Sequence, residues 1–319
     1  MDKCNFLNIL LIFIQSLRIL QYASERIEKA ELFGFIGNAL TRKSICANNI
    51  AKSPKETVMT KNFKMTADQL YEAWKKEEEI AHIHGWDFSH IHGRYTEEDD
   101  LPWDFGKVIQ NYRNDSMKLM DMDTGGGEFL LSFNHPPENT AAIEGYPPNF
   151  ELCKKVMTPL GIDIREAYGG GARLPFSDES FDMITNRHGE YVLPELYRTL
   201  KPNGLFLTQQ VGAENDRELV RLLLPHIAEV PFPKQYLAIR EAELIEHGFE
   251  VLESSEAHRP IRFFDVGALV WFARIIEWEF PDFSVDRCLE QLYRAQEILD
   301  KNGVIEGSIH RFYIAARKK

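Results

Sequence analysis

The chain has 319 residues, of which 44% are hydrophobic and 27% charged. That balance fits a globular protein of one large or two small domains and excludes a wholly disordered or collagen-like chain. Lys and Arg number 37 against 49 Asp and Glu, a formal charge of −12; so acidic a chain lacks the basic footprint that binds a phosphate backbone, and DNA is not an expected partner.

The four cysteines, Cys4, Cys46, Cys153 and Cys288, form no C-x-x-C pair. Thiols so scattered read as small buried hydrophobes in a reducing compartment, so a cytoplasmic protein is expected. Phe6–Leu20 (FLNILLIFIQSLRIL) is apolar. It is shorter than the ~20 residues a spanning helix needs, so no stable membrane insertion is expected. Residues 1–58 hold eight Lys or Arg against five Asp or Glu, opposite in sign to the rest. They read as a poorly ordered appendage, or as an over-extended translation start, before a compact domain over 59–319.

Thr66 or Asp68 is placed to cap an amphipathic helix, DQLYEAWKKEEEIA, which opens a helical N-terminal lid over 66–106. Within it His82-Ile83-His84 and His90-Ile91-His92 repeat H-I-H-G. Imidazoles at H-x-H spacing suit zinc, copper or iron. No cysteine flanks them, however, and a loop with Trp86, Tyr95 and Trp103 that closes over a pocket is the competing reading. No metal ligand is assigned.

From residue 107 to 254 strands alternate with helices. Strands are expected at Met117–Met122, Thr140–Glu144, Ile162–Ile164, Phe181–Thr185, Leu205–Val211 and Phe249–Glu253, with a last one at Arg311–Ala316 after a 255–307 insertion. The last segment, 308–319, closes the domain. Helices are expected at Glu128–Phe133, Phe150–Thr158, Pro194–Leu200 and Glu241–Glu246, while Pro136-Pro137 and Pro147-Pro148 read as turn or extended segments. This alternation predicts a parallel sheet covered on both faces, with ligands beyond the carboxyl ends of its strands.

The first strand runs into Asp121-Met122-Asp123-Thr124-Gly125-Gly126-Gly127 and then a helix. Glycines allow a tight turn and close backbone approach, and a helix N-terminus offers unpaired N–H groups. No Walker string occurs, and the dinucleotide pattern fails because position 130 is Leu130.

The turn resembles the first motif of the class I S-adenosylmethionine-dependent methyltransferases, an acid followed by spaced glycines. Asp123 stands where that family has its first glycine. The resemblance extends over most of 117–211. It implies that Glu144, at the end of the second strand, receives the ribose hydroxyls, by the logic dinucleotide folds also use. Gly171-Ala172-Arg173-Leu174-Pro175-Phe176 is similar to the turn beside adenine, with Gly171 where the family usually has Asp. Glu195 to Phe206 (ELYRTLKPNGLF) matches the helix–turn–strand after the fourth motif. The implied fold is α/β, a doubly wound, mostly parallel seven-stranded sheet of Rossmann-like type. The implied cofactor is S-adenosylmethionine, held by Asp121, Asp123, Thr124, Gly125, Gly126, Gly127, Glu144, Gly171, Ala172, Arg173, Asn186 and Arg187. A small-molecule acceptor is expected. A catalytically silent cofactor-binding protein, or an enzyme acting on RNA or protein, is the alternative.

Thr185-Asn186-Arg187-His188 occupies the fourth motif, without the Asn/Asp-Pro-Pro-aromatic string of base-amine methyltransferases. His188 is either a general base for the acceptor or a local hydrogen-bonding group that shapes the pocket. The Arg262–Phe283 stretch carries Phe263, Phe264, Trp271, Phe272, Trp278, Phe280 and Phe283. It reads as a helical cap burying these rings in its own core, with some of them free to line an apolar acceptor site.

Overall fold

The computed structural model describes residues 65–83, 87–97 and 100–319. The 1–58 appendage with Phe6–Leu20, Cys4 and Cys46, together with His84 and Trp86, lies outside the described residues. These residues fall within one compact unit, Lys64–Lys319.

All four residues of β2 (Leu119–Met122) are buried, as a strand covered by helices on both faces requires. It pairs in parallel with β3 (Thr140–Glu144) on one side and β5 (Phe181–Arg187) on the other. Beyond β3 lies β4 (Asp163–Glu166); beyond β5 lies β6 (Leu200–Val211), also parallel. Then come β8 (Ile305–Lys318), antiparallel to β6, and β7 (Phe249–Phe263), antiparallel to β8. The two-residue β1 (Tyr95–Thr96) edges β7, giving the order β1-β7-β8-β6-β5-β2-β3-β4. The seven strands expected from the sequence are thus β2 to β8, in a doubly wound, Rossmann-like sheet, and β1 adds an eighth.

Two expectations need correction. β7 and β8 run for 15 and 14 residues rather than through 249–253 and 311–316. Glu256, His258 and Arg259 fall in the expected 255–307 insertion, yet their backbone pairs with Phe312, His310 and Ile309, because an antiparallel strand tolerates polar residues on a solvated face. Pro147 and Pro148 are not extended either: they open a helix, where their missing N–H groups cost no hydrogen bond.

In chain order the helices are α1 (Ala67–Glu79), α2 (Phe105–Tyr112), α3 (Glu128–Leu131), α4 (Pro147–Met157), α5 (Leu193–Thr199), α6 (Arg217–Leu223), α7 (Leu237–Glu246), α8 (Val266–Ile275) and α9 (Leu289–Asn302). Thr66 caps α1 through a capping box with Gln69, the Thr66 hydroxyl accepting the Gln69 N–H at 3.3 Å and Gln69 Oε1 accepting the Thr66 N–H at 2.9 Å.

Two apolar clusters cover the faces of the sheet. A third packs Trp74 of α1 with Phe263, Trp271, Phe272, Phe280 and Phe283 of the insertion. Most of the insertion's rings are therefore buried in its own core, while Phe264 and Trp278 remain exposed. Polar ties reinforce the union with α1. The Arg94 guanidinium donates to Asp265 at 2.7 and 2.8 Å and to Glu77 at 2.8 Å, and the Tyr71 hydroxyl donates to Asp286 at 2.8 Å. Helix α1 and the insertion, separate in sequence, pack into one apolar cluster.

Candidate active site

Parallel pairing brings several strand ends to one edge. Met122 aligns with Ile143 and Asn186, and Arg187 aligns with Gln209. A cavity of about 1380 Å³ lies there, between that edge and cap residues Phe88, Tyr95, Phe272 and Ile276. It exceeds the roughly 300–1,000 Å³ of a pocket for one drug-sized ligand, so two ligands have room.

After β2 the chain turns through left-handed conformations at Asp123 (φ 53°), Gly125 (φ 64°) and Gly127 (φ 86°). Gly127 caps α3 at its N-terminus in the left-handed region, where an L side chain is strained and glycine is favoured. The turn is clamped from below. The Glu144 carboxylate accepts the Gly125 N–H at 2.7 Å and the Tyr146 N–H at 2.8 Å, and the Cys153 thiol donates to the Gly125 carbonyl at 3.1 Å. Asp121, Asp123, Thr124, Gly125 and Gly126 line the cavity. Gly127 and Glu144 stand directly behind this lining; Glu144 is buried and its pKa is raised by burial.

Two acids give this wall its character. Asp121 takes the Thr185 hydroxyl at 2.6 Å, and burial pushes its carboxyl up to about 6. Asp123 accepts the Gly169 N–H at 3.0 Å and is likewise pushed to about 6, by burial first and then by nearby Glu144, Asp121 and Glu190. A partly desolvated wall with several acids and glycine N–H groups matches a ligand carrying positive charge and a polar edge.

Gly170 lines the cavity, whereas Gly171, Ala172 and Arg173 sit beside it. The turn is nevertheless joined to the glycine loop, because Asp123 reaches Gly169. The two departures from the family pattern, an acid at 123 and a glycine at 171, thus meet in one place.

The fourth motif divides. Asn186 is wholly buried, its Oδ1 accepting from Gln210 Nε2 at 2.6 Å and from the Thr208 hydroxyl at 3.2 Å, and it does not line the cavity. Arg187 does, with its guanidinium 4.9 Å from the Phe129 ring centre. His188 also lines it, in a left-handed conformation (φ 62°) held by its N–H donating to the Gln209 carbonyl at 2.8 Å. Its ring has a defined partner. The Trp103 indole N–H donates to Gln209 Oε1 at 2.8 Å, which leaves Gln209 Nε2, a donor, 3.3 Å from His188 Nε2. The His188 nitrogen facing Gln209 must therefore be an acceptor, with the ring proton on Nδ1.

Sequence reasoning missed Glu97, Glu190, Gln210, Asn215, Asp216 and Arg311, all of which line the cavity. The available signal was position: Asn215 and Asp216 follow β6 at its carboxyl end, where such sheets bind ligands.

The histidine repeat forms other contacts. His90 Nε2 lies 2.8 Å from Glu77, and its ring is 5.5 Å from Trp271. Among the described residues no three His, Cys, Asp or Glu side chains converge as a metal site. Cys153 and Cys288 are free, buried thiols. Among the described residues no helix is long and apolar enough to cross a membrane.

Residues 120–208 match a family model described as a methyltransferase domain. A phthiotriol/phenolphthiotriol dimycocerosates methyltransferase of Mycobacterium tuberculosis is 30% identical over 99 residues, covering 29% of this chain and 36% of that protein. A demethylmenaquinone methyltransferase of Deinococcus radiodurans is 25% identical over 114 residues, covering 33% of this chain and 47% of that protein. The matched segments thus span between about a third and a half of these curated relatives. A Thiobacillus denitrificans SAM-dependent methyltransferase, solved with S-adenosyl-L-homocysteine, has 15% identity and a TM-score of 0.42, covering 76% of this chain and 96% of that one. The domain match falls on the segment that carries the acid–glycine turn and the strand-end acid, so residues 120–208 are similar to a methyltransferase domain.

Proposed function

We propose that this protein is an S-adenosylmethionine-dependent methyltransferase acting on a small-molecule acceptor. The observation that carries the reading is the Glu144–Gly125 clamp beneath an acid-lined cavity large enough for two ligands. The cofactor fits the residues present. Gly125 and Gly126 leave room for close backbone approach, Asp121 and Asp123 supply negative charge, and Glu144, behind the lining, holds the turn that presents them. When bound, the cofactor supplies a methyl group already activated on a positive sulfur.

The chain's own residues then have three tasks. The glycine turn and its acids hold and orient the cofactor. Phe88, Tyr95, Phe272 and Ile276 shield the cavity from water. The sheet edge and cap bring the acceptor into line. In-line transfer from an activated carbon draws much of its rate from such positioning and water exclusion. His188 is read as a pocket-shaping group tied to Gln209 rather than as the base. The test is incubation of the protein with methyl-labelled S-adenosylmethionine and a deproteinised cell extract. A discrete labelled small product is expected; cofactor binding without label in any small product overturns the catalytic reading.

A further inference from the structure

The cofactor half of the cavity is built from the turns after β2, β4 and β5. A second half is built from other elements: Asn215 and Asp216 after β6, Arg311 of β8, Glu97 after β1, and the rings of Phe88, Tyr95 and Phe272. The polar part of this half is a buried charge cluster. Arg311 donates to Asn215 Oδ1 and to Glu97. Asn215 Nδ2 in turn donates to Asp216 Oδ2 at 2.7 Å. Asp216 Oδ1 has no hydrogen-bond partner, although the residue is only 1% exposed and forms part of the cavity wall.

That is a costly arrangement. An unpartnered buried polar atom destabilises a fold. Asp216 is also held in a left-handed conformation, φ 55° and ψ 15°, and makes no side-chain capping bond to the helix it precedes. Neither feature is needed to begin α6. Such strain at a cavity wall, retained against stability, marks functional positions.

We propose that Asp216 receives the hydrogen-bond donor of the methyl acceptor, a hydroxyl or amine carried on an apolar body that packs against Phe88, Tyr95 and Phe272. The proposal rests on the methyltransferase reading and names the substrate class for the same cavity. Three observations point this way. The neighbouring amide and guanidinium are already engaged, and Oδ1 is a vacant acceptor among the described residues of this half. The surrounding rings favour an apolar body. The carboxyl is held well above the usual Asp range, by burial first and then by Glu97 and Glu279, with Arg311 opposing, so a donor brought by the ligand is what would hold its ionised, accepting form.

The test uses the full chain saturated with S-adenosylhomocysteine and two probes with the same ring, 2-naphthol and naphthalene, followed by fluorescence. The wild type is expected to bind 2-naphthol about tenfold more tightly than naphthalene, the size of one hydrogen bond to a carboxylate. In Asp216→Gly, which suits the left-handed backbone, the two probes should bind within about twofold of each other. S-adenosylhomocysteine affinity should be unchanged and the melting temperature equal or higher. Should the glycine variant fail to fold, Asp216→Asn keeps the backbone and volume, and the preference should still shrink several-fold. A preference absent from the wild type, or undiminished in a folded variant, overturns the proposal and leaves Asp216 Oδ1 a site for buried water only. Failure of S-adenosylhomocysteine itself to bind is a separate result, and it overturns the methyltransferase reading together with this one.

Discussion

Glu144, the last residue of β3, accepts the Gly125 N–H at 2.7 Å and so fixes the turn that follows β2. One buried carboxylate thus holds the loop that lines the cavity. Glu144→Ala should weaken S-adenosylmethionine binding by about tenfold to a hundredfold, since hydrogen bonds to a charged group contribute roughly 1.5–3 kcal/mol. It should also lower the melting temperature by several degrees, at roughly 2–4 °C per kcal/mol for a domain of this size. Titration calorimetry and a thermal melt check both. An unchanged dissociation constant and an unchanged melting temperature would mean that the clamp is idle.

Asp121 and Asp123 give cofactor binding a pH dependence. Each sits near 6 in the folded protein against an ordinary value of 3.8. Between about pH 4 and 6 the folded chain therefore holds protons that the unfolded chain has released, and these groups make stability fall as pH rises through that window. A cationic ligand binds the ionised acids. Affinity for S-adenosylmethionine should accordingly fall as pH is lowered through about 6, by up to about tenfold per unit for each proton displaced, and level off above 7. Asp123→Asn should flatten part of the slope. A flat profile from pH 5.5 to 7.5 contradicts this account of the wall.

The Trp103–Gln209–His188 chain fixes which imidazole nitrogen carries the proton. Long-range ¹H–¹⁵N NMR of the histidines should find His188 protonated on Nδ1 at neutral pH. Trp103→Phe keeps the ring but frees the Gln209 amide to turn, and mixed tautomers should follow. A wild-type His188 protonated on Nε2 would refute the hydrogen-bond direction assigned here.

Trp271 is 1% exposed, and Phe88, part of the cavity wall, meets it edge-on at 5.7 Å. Trp271→Ala should cost about 3–5 kcal/mol, read as a melting temperature lower by roughly 10 °C. A fall of less than about 2 °C would show that the cap core is not coupled to the unfolding of the sheet.

The parallel strands were legible because their apolar runs are short and punctuated. Thr140–Glu144 was bounded to the residue, and the Gly125–Gly127 turn could be read from spacing alone. The long halves of β7 and β8 were not, since their solvated face carries Glu256, His258 and Arg259 and only the partner strand makes them a ladder. The cavity edge after β2 follows a local motif, so the place of Asp121, Asp123, Thr124, Gly125 and Gly126 in the lining was accessible to sequence reasoning. The opposite half of the cavity gathers Glu97, Asp216 and Arg311 from three distant segments with no motif between them. Their meeting is a product of tertiary folding. Asn186 shows the converse: a motif position that the sheet turns inward, toward Gln210 and Thr208.

The central claim is that the acid–glycine turn and its cavity hold S-adenosylmethionine, and titration calorimetry of the full chain at pH 7.5 tests it most directly. The account predicts one molecule bound per chain, with a dissociation constant in the range of about 1 μM to 1 mM typical of enzyme substrates, and competition by S-adenosylhomocysteine for the same site. No saturable heat at millimolar S-adenosylmethionine, from protein whose thermal melt shows it folded, would contradict it.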